Sequence, residues 1–314
     1  MALRIVFCGT PEFAVPSLQR LIAESDFEIV GVVTQPDRPR GRGREVQGSP
    51  VKQAALAAGL PIFQPEKIKS EEGFEYLQRL APDAVVIIAY GQIISPRLIA
   101  IPRLGWINLH ASLLPKYRGA APINWAIVNG EKLTGLTTMQ IDAGLDTGHT
   151  LLQYETGIAA DETAPELTAQ LAEAGGPLMV ETLRKLAAGE ISPAPQDNSQ
   201  ATLAPILKKE DGRIDWSLNA FTIYNRIRGL QPWPGAFTTF RGKNCHVWGK
   251  PLKPVAVGGR PGIILPTKED GMLVICGGST VLRVAHLQLE GRSRVTSEQF
   301  IHGARLAPGE RFGG

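Results

Sequence analysis

Three polar side chains in the first half of the chain have the types and spacing needed to move a proton at a carbonyl group. A strand-like run ends in Asn108 and His110, and side-chain alternation along a strand places both on one face. Asp146 follows in a turn flanked by glycines. The amide can stabilise an oxyanion, and the carboxylate can orient the imidazole or accept a proton through water. His110 could donate to the oxyanion or shuttle the proton, and the sequence leaves both roles open. Each residue alone could be structural, but the set favours a catalytic site.

The elements that must position these residues alternate between strands and helices. Apolar runs predict strands at residues 3–9, 27–34, 84–89, 105–109, 134–141 and 149–155. Helical spacing predicts helices at residues 15–23, 51–58, 72–80, 122–129 and 163–188, the last kinked or interrupted at Gly175-Gly176-Pro177. This alternation indicates an α/β, Rossmann-like, mostly parallel sheet covered on both faces. Ligands bind at the carboxyl ends of strands in such sheets, where Asn108 and His110 lie.

The second half of the chain has a different pattern and a different charge. Residues 190–207 lack apolar periodicity and are interpreted as an interdomain linker between residues 1–189 and residues 208–314. After one short helix predicted at residues 220–228, short alternating strands separated by glycines predict an all-β domain in the part of the chain after residue 208. That part has 16 basic and 8 acidic side chains, whereas residues 1–189 have a balance of −3. A basic domain is typical of polyanion binding, although a generic basic surface is the simpler alternative.

Composition excludes several classes of protein. Hydrophobic residues make up 43% and charged residues 20%, as in soluble globular chains. The apolar runs are too short to cross a bilayer, and the start of the chain lacks a secretion signal, so we expect a cytoplasmic protein. The three cysteines are isolated and read as core residues in a reducing compartment. The five histidines are far apart, so we expect no metal site.

The segment that contains Asn108 and His110 resembles the signature of the folate-dependent formyltransferases. The matching residues are Asn108-x-His110-x-Ser112-Leu113-Leu114-Pro115-Lys116-Tyr117-Arg118-Gly119-Ala120-Ala121-Pro122. Further similar segments are FCGTPEFA from Phe7, TQPDRP from Thr34, MQIDAGLDTG from Met139 and RIDWS from Arg213. The resemblance extends from about residue 3 to about residue 306. It implies formyl transfer from 10-formyltetrahydrofolate, the cosubstrate, to the amino group of methionyl initiator tRNA, for translation initiation.

The resemblance also assigns roles outside the catalytic residues. It implies that Ser112, Leu113, Leu114 and Pro115 bind the folate, and that the all-β domain is a small OB-like barrel that binds tRNA. A loop with Arg38, Arg40, Arg42 and Arg44 would enter the acceptor end of the tRNA, with Arg42 at the position on which the family relies. Arg226, Arg228, Arg241, Lys243, Lys250 and Lys253 would contact the tRNA backbone. The usual alternative for such a loop is a solvated basic surface. We expect a monomer.

Other functions explain fewer of these features. A dinucleotide-binding dehydrogenase would need a glycine-rich turn, and Gly9-Thr10-Pro11 has one glycine and a proline without an N–H. An aspartic protease would need two carboxylates, and the chain has one Asp-Thr-Gly. A non-enzymatic RNA-binding protein would leave the catalytic set unexplained. Formyltransferases that act on a nucleotide amino-sugar, and formyl-folate hydrolases, share the catalytic residues and are the main alternatives.

Overall fold

The computed structural model describes residues 2–40, 45–252, 257–267, 271–307 and 309–313. Two compact units are formed. The first comprises Met1–Pro122, Leu133–Gly157 and Leu167–Pro205, and the second comprises Ile123–Lys132, Ile158–Glu166 and Ile206–Gly314. The interpreted linker therefore belongs to the first unit up to Pro205. The predicted boundaries of independently folding domains stay a prediction.

The first unit is built around a seven-stranded sheet in the order β10-β9-β7-β6-β1-β2-β5. Strands β5, β2, β1, β6 and β7 are mutually parallel, and β9 and β10 are antiparallel to their neighbours. This confirms the predicted mostly parallel sheet. The strands of this unit are β1 (Leu3–Gly9), β2 (Phe27–Val33), β3 (Arg38–Arg40), β4 (Glu45–Gln47), β5 (Ile62–Phe63), β6 (Ala84–Ile88), β7 (Trp106–His110), β8 (Arg118–Gly119), β9 (Leu133–Gln140), β10 (Thr150–Gly157) and β11 (Leu203–Ala204).

The first helices of the chain agree with the predictions to within about two residues at each end, apart from one short helix that was missed. They are α1 (Val15–Ile22), α2 (Pro50–Ala57), α3 (Glu71–Leu80), α4 (Pro96–Ile99, missed), α5 (Pro122–Val128) and α6 (Ala164–Ala188). Side chains cap two of them: Ser49 accepts a hydrogen bond from the backbone N–H of Lys52, and Ser70 from that of Gly73.

Helix α6 is one continuous helix with Pro177 inside it, so it is not interrupted at Gly175-Gly176-Pro177, and the kink that was the other expectation stays a prediction. The glycines have a packing role instead. A Cβ atom on Gly175 would lie 2.5 Å from Cδ2 of Leu109, and one on Gly176 would lie 2.7 Å from Cβ of Arg20. The helix therefore approaches β7 and α1 more closely than any larger residue would allow.

The second unit contains an antiparallel sheet in the order β12-β13-β16-β15-β14, with β17 paired to β16. Its elements after α5 are α7 (Ala220–Gly229), β12 (Phe237–Phe240), β13 (Lys243–Pro251), β14 (Ile264–Thr267), β15 (Gly271–Cys276), β16 (Thr280–Leu289), β17 (Val295–Thr296) and α8 (Ser297–Ala304). The all-β prediction is confirmed for the sheet, while α8 and its Thr296 cap were missed.

The C-terminal segment joins the two end strands of this sheet. The N–H of Phe312 donates to the carbonyl of Gly262, just before β14, and the N–H of Gly313 donates to the carbonyl of Thr239 in β12, both at 2.9 Å. These bonds bridge the two end strands of the sheet through the C-terminal segment. The interior is apolar and includes Trp216, which stacks on Phe312 at 5.6 Å.

The cysteines are buried, as predicted. Burial raises the pKa of Cys245 to about 11 and that of Cys276 to about 12, which keeps both as unreactive thiols near neutral pH. Within the described ranges, no helix has both the length and the apolar character that crossing a membrane requires.

Candidate active site

The predicted catalytic residues meet at the carboxyl end of β7. This strand lies between β6 and β9, and within it Asn108 is half-buried while His110 is only 5% exposed. Across the pair of strands, His110 stands opposite Thr137 of β9. The side-chain amide of Asn108 forms no hydrogen bond within the described part of the chain, so it can donate to a ligand.

The imidazole of His110 lies between two oxygen atoms. Its Nε2 is 2.8 Å from the carbonyl oxygen of Tyr117, and its Nδ1 is 3.6 Å from Oδ2 of Asp146. A carbonyl can only accept, so Nε2 bears the hydrogen and donates it. In the neutral imidazole Nδ1 then has no hydrogen, and it is this nitrogen that faces the Asp146 carboxylate. The structure brings all three predicted catalytic residues into one site.

Asp146 is held by a loop that passes close to it. Its Oδ2 accepts a 2.8 Å hydrogen bond from the backbone N–H of Gly119. Gly119 has φ +123°, and a Cβ atom there would lie 2.6 Å from the carbonyl oxygen of Ala204. Only glycine fits this position without strain, because both the backbone angle and the space exclude a side chain.

The Ser112–Pro115 loop is anchored to the sheet by residues that the sequence analysis missed. Oγ1 of Thr137 accepts from the N–H of Leu114 at 3.1 Å and donates to the carbonyl of Ser112 at 2.7 Å. Nε2 of Gln153 donates to the carbonyl of Leu114 at 2.9 Å. Thr137 is fully buried. No sequence pattern indicates that a threonine in β9, such as Thr137, faces a neighbouring loop.

The two leucines of this loop have different environments. Leu113 is half-buried, whereas Leu114 is buried, at 5% exposure, with the Leu114–Pro115 peptide bond in the cis form. Leu113 can therefore offer apolar surface to a ligand directly, and Leu114 supports the loop from below. That the loop binds folate stays a prediction.

A cavity of about 730 Å³ opens at the same edge of the sheet, beside the ends of β1, β2 and β6. Ile93, at 82% exposure, lies on its wall. The side chain of Gln92 fixes this wall, since its Oε1 accepts from the N–H of Ile68 at 2.7 Å and its Nε2 contacts Oε1 of Gln35 at 3.3 Å. Ile93 therefore offers exposed apolar surface to a ligand in this cavity, and it is not among the residues predicted from the sequence.

The arginine loop is described only in part. Arg38 is exposed and lies 3.7 Å from Glu66. The side chain of Arg40 lies outside the described part of the structure, as do Arg42 and Arg44 entirely. Strands β3 and β4 pair across this loop, a hairpin that the sequence analysis missed.

Arg228 and Arg226 of the second unit both donate to backbone carbonyls, but only Arg228 is buried; Arg226 is half-buried, and its contact with tRNA stays a prediction. Arg228 is 5% exposed, and its Nη1 donates to the carbonyls of Ala159 and Glu162. Burial lowers the pKa of Arg228. Arg226 donates to the carbonyl of Asp211. Assigning Arg228 to the tRNA backbone was wrong, because a buried guanidinium bonded to carbonyls cannot reach a phosphate.

Two of the other predicted cations form ion pairs on the surface. Lys250 lies 2.7 Å from Asp161, and Arg241 lies 2.6 Å from Glu310. Lys250 and Tyr224 hold the pKa of Asp161 below its usual value. Lys243 is exposed, and Lys253 lies outside the described residues. A cavity of about 1000 Å³ in this unit is lined in part by Trp248, with Arg294 stacked on it at 4.2 Å.

Comparison with known families covers almost the whole chain. The family described as formyl transferase matches residues 3–183, and the formyl transferase C-terminal domain matches residues 206–305. The chain belongs to the formyl transferase family. Among the described residues, no group of three or more His, Cys, Asp or Glu side chains is arranged to hold a metal ion.

Two curated relatives and one solved structure illustrate the similarity. The methionyl-tRNA formyltransferase of Solibacter usitatus is 52% identical over 311 residues, which is 99% of each chain. That of Acidobacterium capsulatum is 52% identical over 312 residues, 99% of this chain and 100% of the relative. The sugar 3N-formyl transferase WlaRD, solved in the presence of dTDP and 5-N-formyl-THF, has a TM-score of 0.66 at 19% identity, over 93% of this chain and 100% of its own. At that identity the last similarity establishes the fold alone.

Proposed function

We propose that this protein transfers a formyl group from 10-formyltetrahydrofolate to the amino group of methionyl initiator tRNA, in the cytoplasm and for translation initiation. The main support is 52% identity to a methionyl-tRNA formyltransferase across 99% of both chains. Identity to the sugar 3N-formyl transferase is 19%. Methionyl-tRNA is therefore better supported than an amino-sugar as the formyl acceptor of this protein.

The site geometry fits attack of an amine on a formyl carbon. The C–N bond forms, the carbonyl oxygen gains negative charge, and the bond from the formyl carbon to N10 then breaks. The free amide of Asn108 donates to the oxygen, and the loss of such a donor costs about 10²–10³ in rate. Nε2 of His110 is committed to Tyr117, so Nδ1 and the adjacent Asp146 carboxylate are the groups that receive the amine proton. N10 is protonated as it departs, by return of the proton that His110 and Asp146 took from the amine.

Folate binding is assigned to the carboxyl edge of the sheet. The flat rings of a folate need apolar surface, which Leu113 offers in the Ser112–Pro115 loop and Ile93 in the nearby cavity wall. Thr137 and Gln153 keep the loop in a single arrangement. The solved structural neighbour was obtained with 5-N-formyl-THF, which supports a folate as the formyl donor.

The tRNA is assigned to the arginine loop and to the basic second half of the chain. Arg38 is exposed, and Arg40, Arg42 and Arg44 follow within the next six residues of the sequence. In the second unit the exposed cations are better candidates for phosphate contacts than Arg228; they include Lys243, Arg260, Arg292 and Arg294. We expect the protein to act as a monomer.

One assay tests the function. The purified protein is incubated with 10-formyltetrahydrofolate labelled in the formyl group and with charged initiator tRNA, a nucleotide amino-sugar, or water alone. We expect label on the methionyl amine of the tRNA. Label on the amino-sugar, or release of formate without an acceptor, would overturn the proposal in favour of the corresponding alternative. Uncharged tRNA is the control, because it presents the same polyanion without the amine.

A further inference from the structure

Residues 194–204, which we call the strap, run beside the catalytic residues within the first unit. The backbone of Ala194 exchanges two hydrogen bonds with Thr150, at 2.8 and 2.9 Å. At the other end of the strap, β11 pairs in parallel with β8. These residues lie within the predicted linker, because they have no apolar periodicity. Their contacts with the site are made by polar side chains and by backbone groups.

The side chain of Gln196 has one possible orientation in the strap. Its Oε1 accepts from Nε and Nη2 of the buried Arg118, at 3.1 and 2.7 Å. Its Nε2 donates to the carbonyl oxygens of Asp146 and Gly148, at 2.9 and 2.7 Å. A flipped amide would place its NH₂ against the guanidinium and its oxygen against two carbonyls. Gln196 therefore connects a fixed cation to the backbone of the catalytic loop.

This connection acts on a residue with an unusual backbone. Asp146 has φ +52°, in the left-handed region that is uncommon for residues other than glycine. Such conformations persist where surrounding contacts fix them. The bonds from Gln196 on Asp146 and Gly148, and the Gly119 N–H on the carboxylate, supply those contacts. They set the position of Oδ2 relative to Nδ1 of His110.

The strap also fixes the second partner of His110. Oγ1 of Thr202 accepts from the backbone N–H of Tyr117 at 2.9 Å, and the carbonyl of Thr202 accepts from the N–H of Arg118 at 2.9 Å. Tyr117 has φ +60° and bears the carbonyl that accepts from Nε2 of His110. Both oxygen atoms that flank the imidazole are therefore held by the strap.

We infer that Gln196 and Thr202 are positioning residues for the formyl-transfer reaction: through Asp146 and Tyr117 they hold the carboxylate that faces Nδ1 of His110 and the carbonyl that accepts from its Nε2. The inference rests on the proposed function. Neither residue needs to touch a substrate. Their loss should lower the rate of the chemical step and leave formyl-folate affinity largely unchanged.

Gln196→Glu tests the first contact with little change in volume. A carboxylate still accepts from Arg118 but cannot donate to the carbonyls of Asp146 and Gly148. We expect kcat to fall about 10–100-fold, as for a small misplacement of a catalytic group, with the KM for formyl-folate changed less than about twofold. The pH profile of kcat should shift, because the surroundings of His110 and Asp146 change. Gln200→Glu is the matched control, since Nε2 of Gln200 bonds only to Asp197 in the described structure.

Thr202→Val and Thr202→Ser test the second contact. Valine keeps the shape but loses the acceptor for the N–H of Tyr117, whereas serine retains it. We expect Thr202→Val to lower kcat and Thr202→Ser to restore it to within about twofold of the wild-type value. Unchanged kcat in both Gln196→Glu and Thr202→Val, or an equal fall in Gln200→Glu, would overturn the inference. Inactivity of the wild-type protein toward charged tRNA would instead count against the proposed function, so the two failures are distinguishable.

Discussion

Thr137→Val should weaken folate binding through the loop that Thr137 anchors. The substitution keeps the shape of a fully buried side chain but removes Oγ1. The N–H of Leu114 loses its acceptor, and the carbonyl of Ser112 loses its donor. Each unsatisfied buried group costs about 1–3 kcal/mol, so the loss of both partners should lower the free energy of unfolding by roughly 2–6 kcal/mol.

Part of that cost falls on the loop itself. Suppose that about 1.4 kcal/mol of this free energy destabilises the folate-binding conformation of the Ser112–Pro115 loop. Folate binding must then restore that conformation, so the Kd for formyl-folate rises about tenfold. The KM for formyl-folate should rise with it, while kcat at saturating folate changes less. Urea unfolding gives the stability, and initial rates at varied formyl-folate give KM and kcat.

Thr138→Val is the control for this prediction. Thr138 is the next residue of β9, is also fully buried, and its Oγ1 accepts from the N–H of Leu152 at 3.0 Å and contacts Oγ1 of Thr182 at 2.9 Å. Its loss should destabilise the protein to a similar degree without touching the Ser112–Pro115 loop. An equal rise in KM in the two variants, or an unchanged KM in Thr137→Val, would refute the assignment of this loop to folate.

Three further predictions concern other parts of the chain. Asn108→Ala should lower turnover by about 10²-fold or more with folate binding retained; near-wild-type turnover in steady-state assays would remove Asn108 from the catalytic set. Arg42→Glu should lower kcat/KM for charged tRNA about tenfold or more at low salt, with unchanged folate affinity and thermal midpoint; unaltered tRNA kinetics would make the loop a solvated surface. Burial lowers the pKa of His246 below its usual value of 6.5. The unfolded chain then binds the proton more readily, so this contribution to stability is complete above pH 6.5 and is lost as the pH falls through the lowered pKa. His246→Gln should flatten that part of the pH dependence in urea unfolding, and an identical slope in both proteins would contradict it.

The sheet of the first unit and its catalytic residues could be predicted because their signals are local. A buried parallel strand is a continuous apolar run, as in β6, where every residue is buried. Asn108 and His110 follow from their place at the end of such a run. Asp146 could be identified from the glycines that flank it in the sequence. Asn108 and His110 lie at the carboxyl edge that the parallel strands share. Asp146 follows β9, which is antiparallel to β7, so the direction of the strands does not by itself place its carboxylate beside His110.

The parts that could not be predicted depend on contacts between distant residues. Thr137 and Gln196 act through single polar atoms on carbonyl and N–H groups that any residue possesses. Arg228 has the same sequence signal as a surface cation, and only the three-dimensional packing of α7 shows that it is buried. Gly175 and Gly176 have the composition of a helix break, yet they permit close packing. The sequence gives the type of each residue, whereas the role of that residue depends on which distant residues it contacts in the folded protein.

The strap also changes how a truncation of this protein has to be interpreted. A fragment of residues 1–189 retains Asn108, His110 and Asp146 but lacks Gln196 and Thr202, which bond to the backbone of Asp146 and Tyr117 beside the imidazole. Loss of activity in that fragment would therefore not separate the absence of a tRNA-binding surface from the absence of the strap. Extending the fragment to Pro205 restores the first unit. The fragment would still contain Ile123–Lys132 and Ile158–Glu166, which belong to the second unit, without the remaining residues of that unit. Point substitutions in the intact chain are the sharper test, because each compact unit is assembled from separate segments of the sequence.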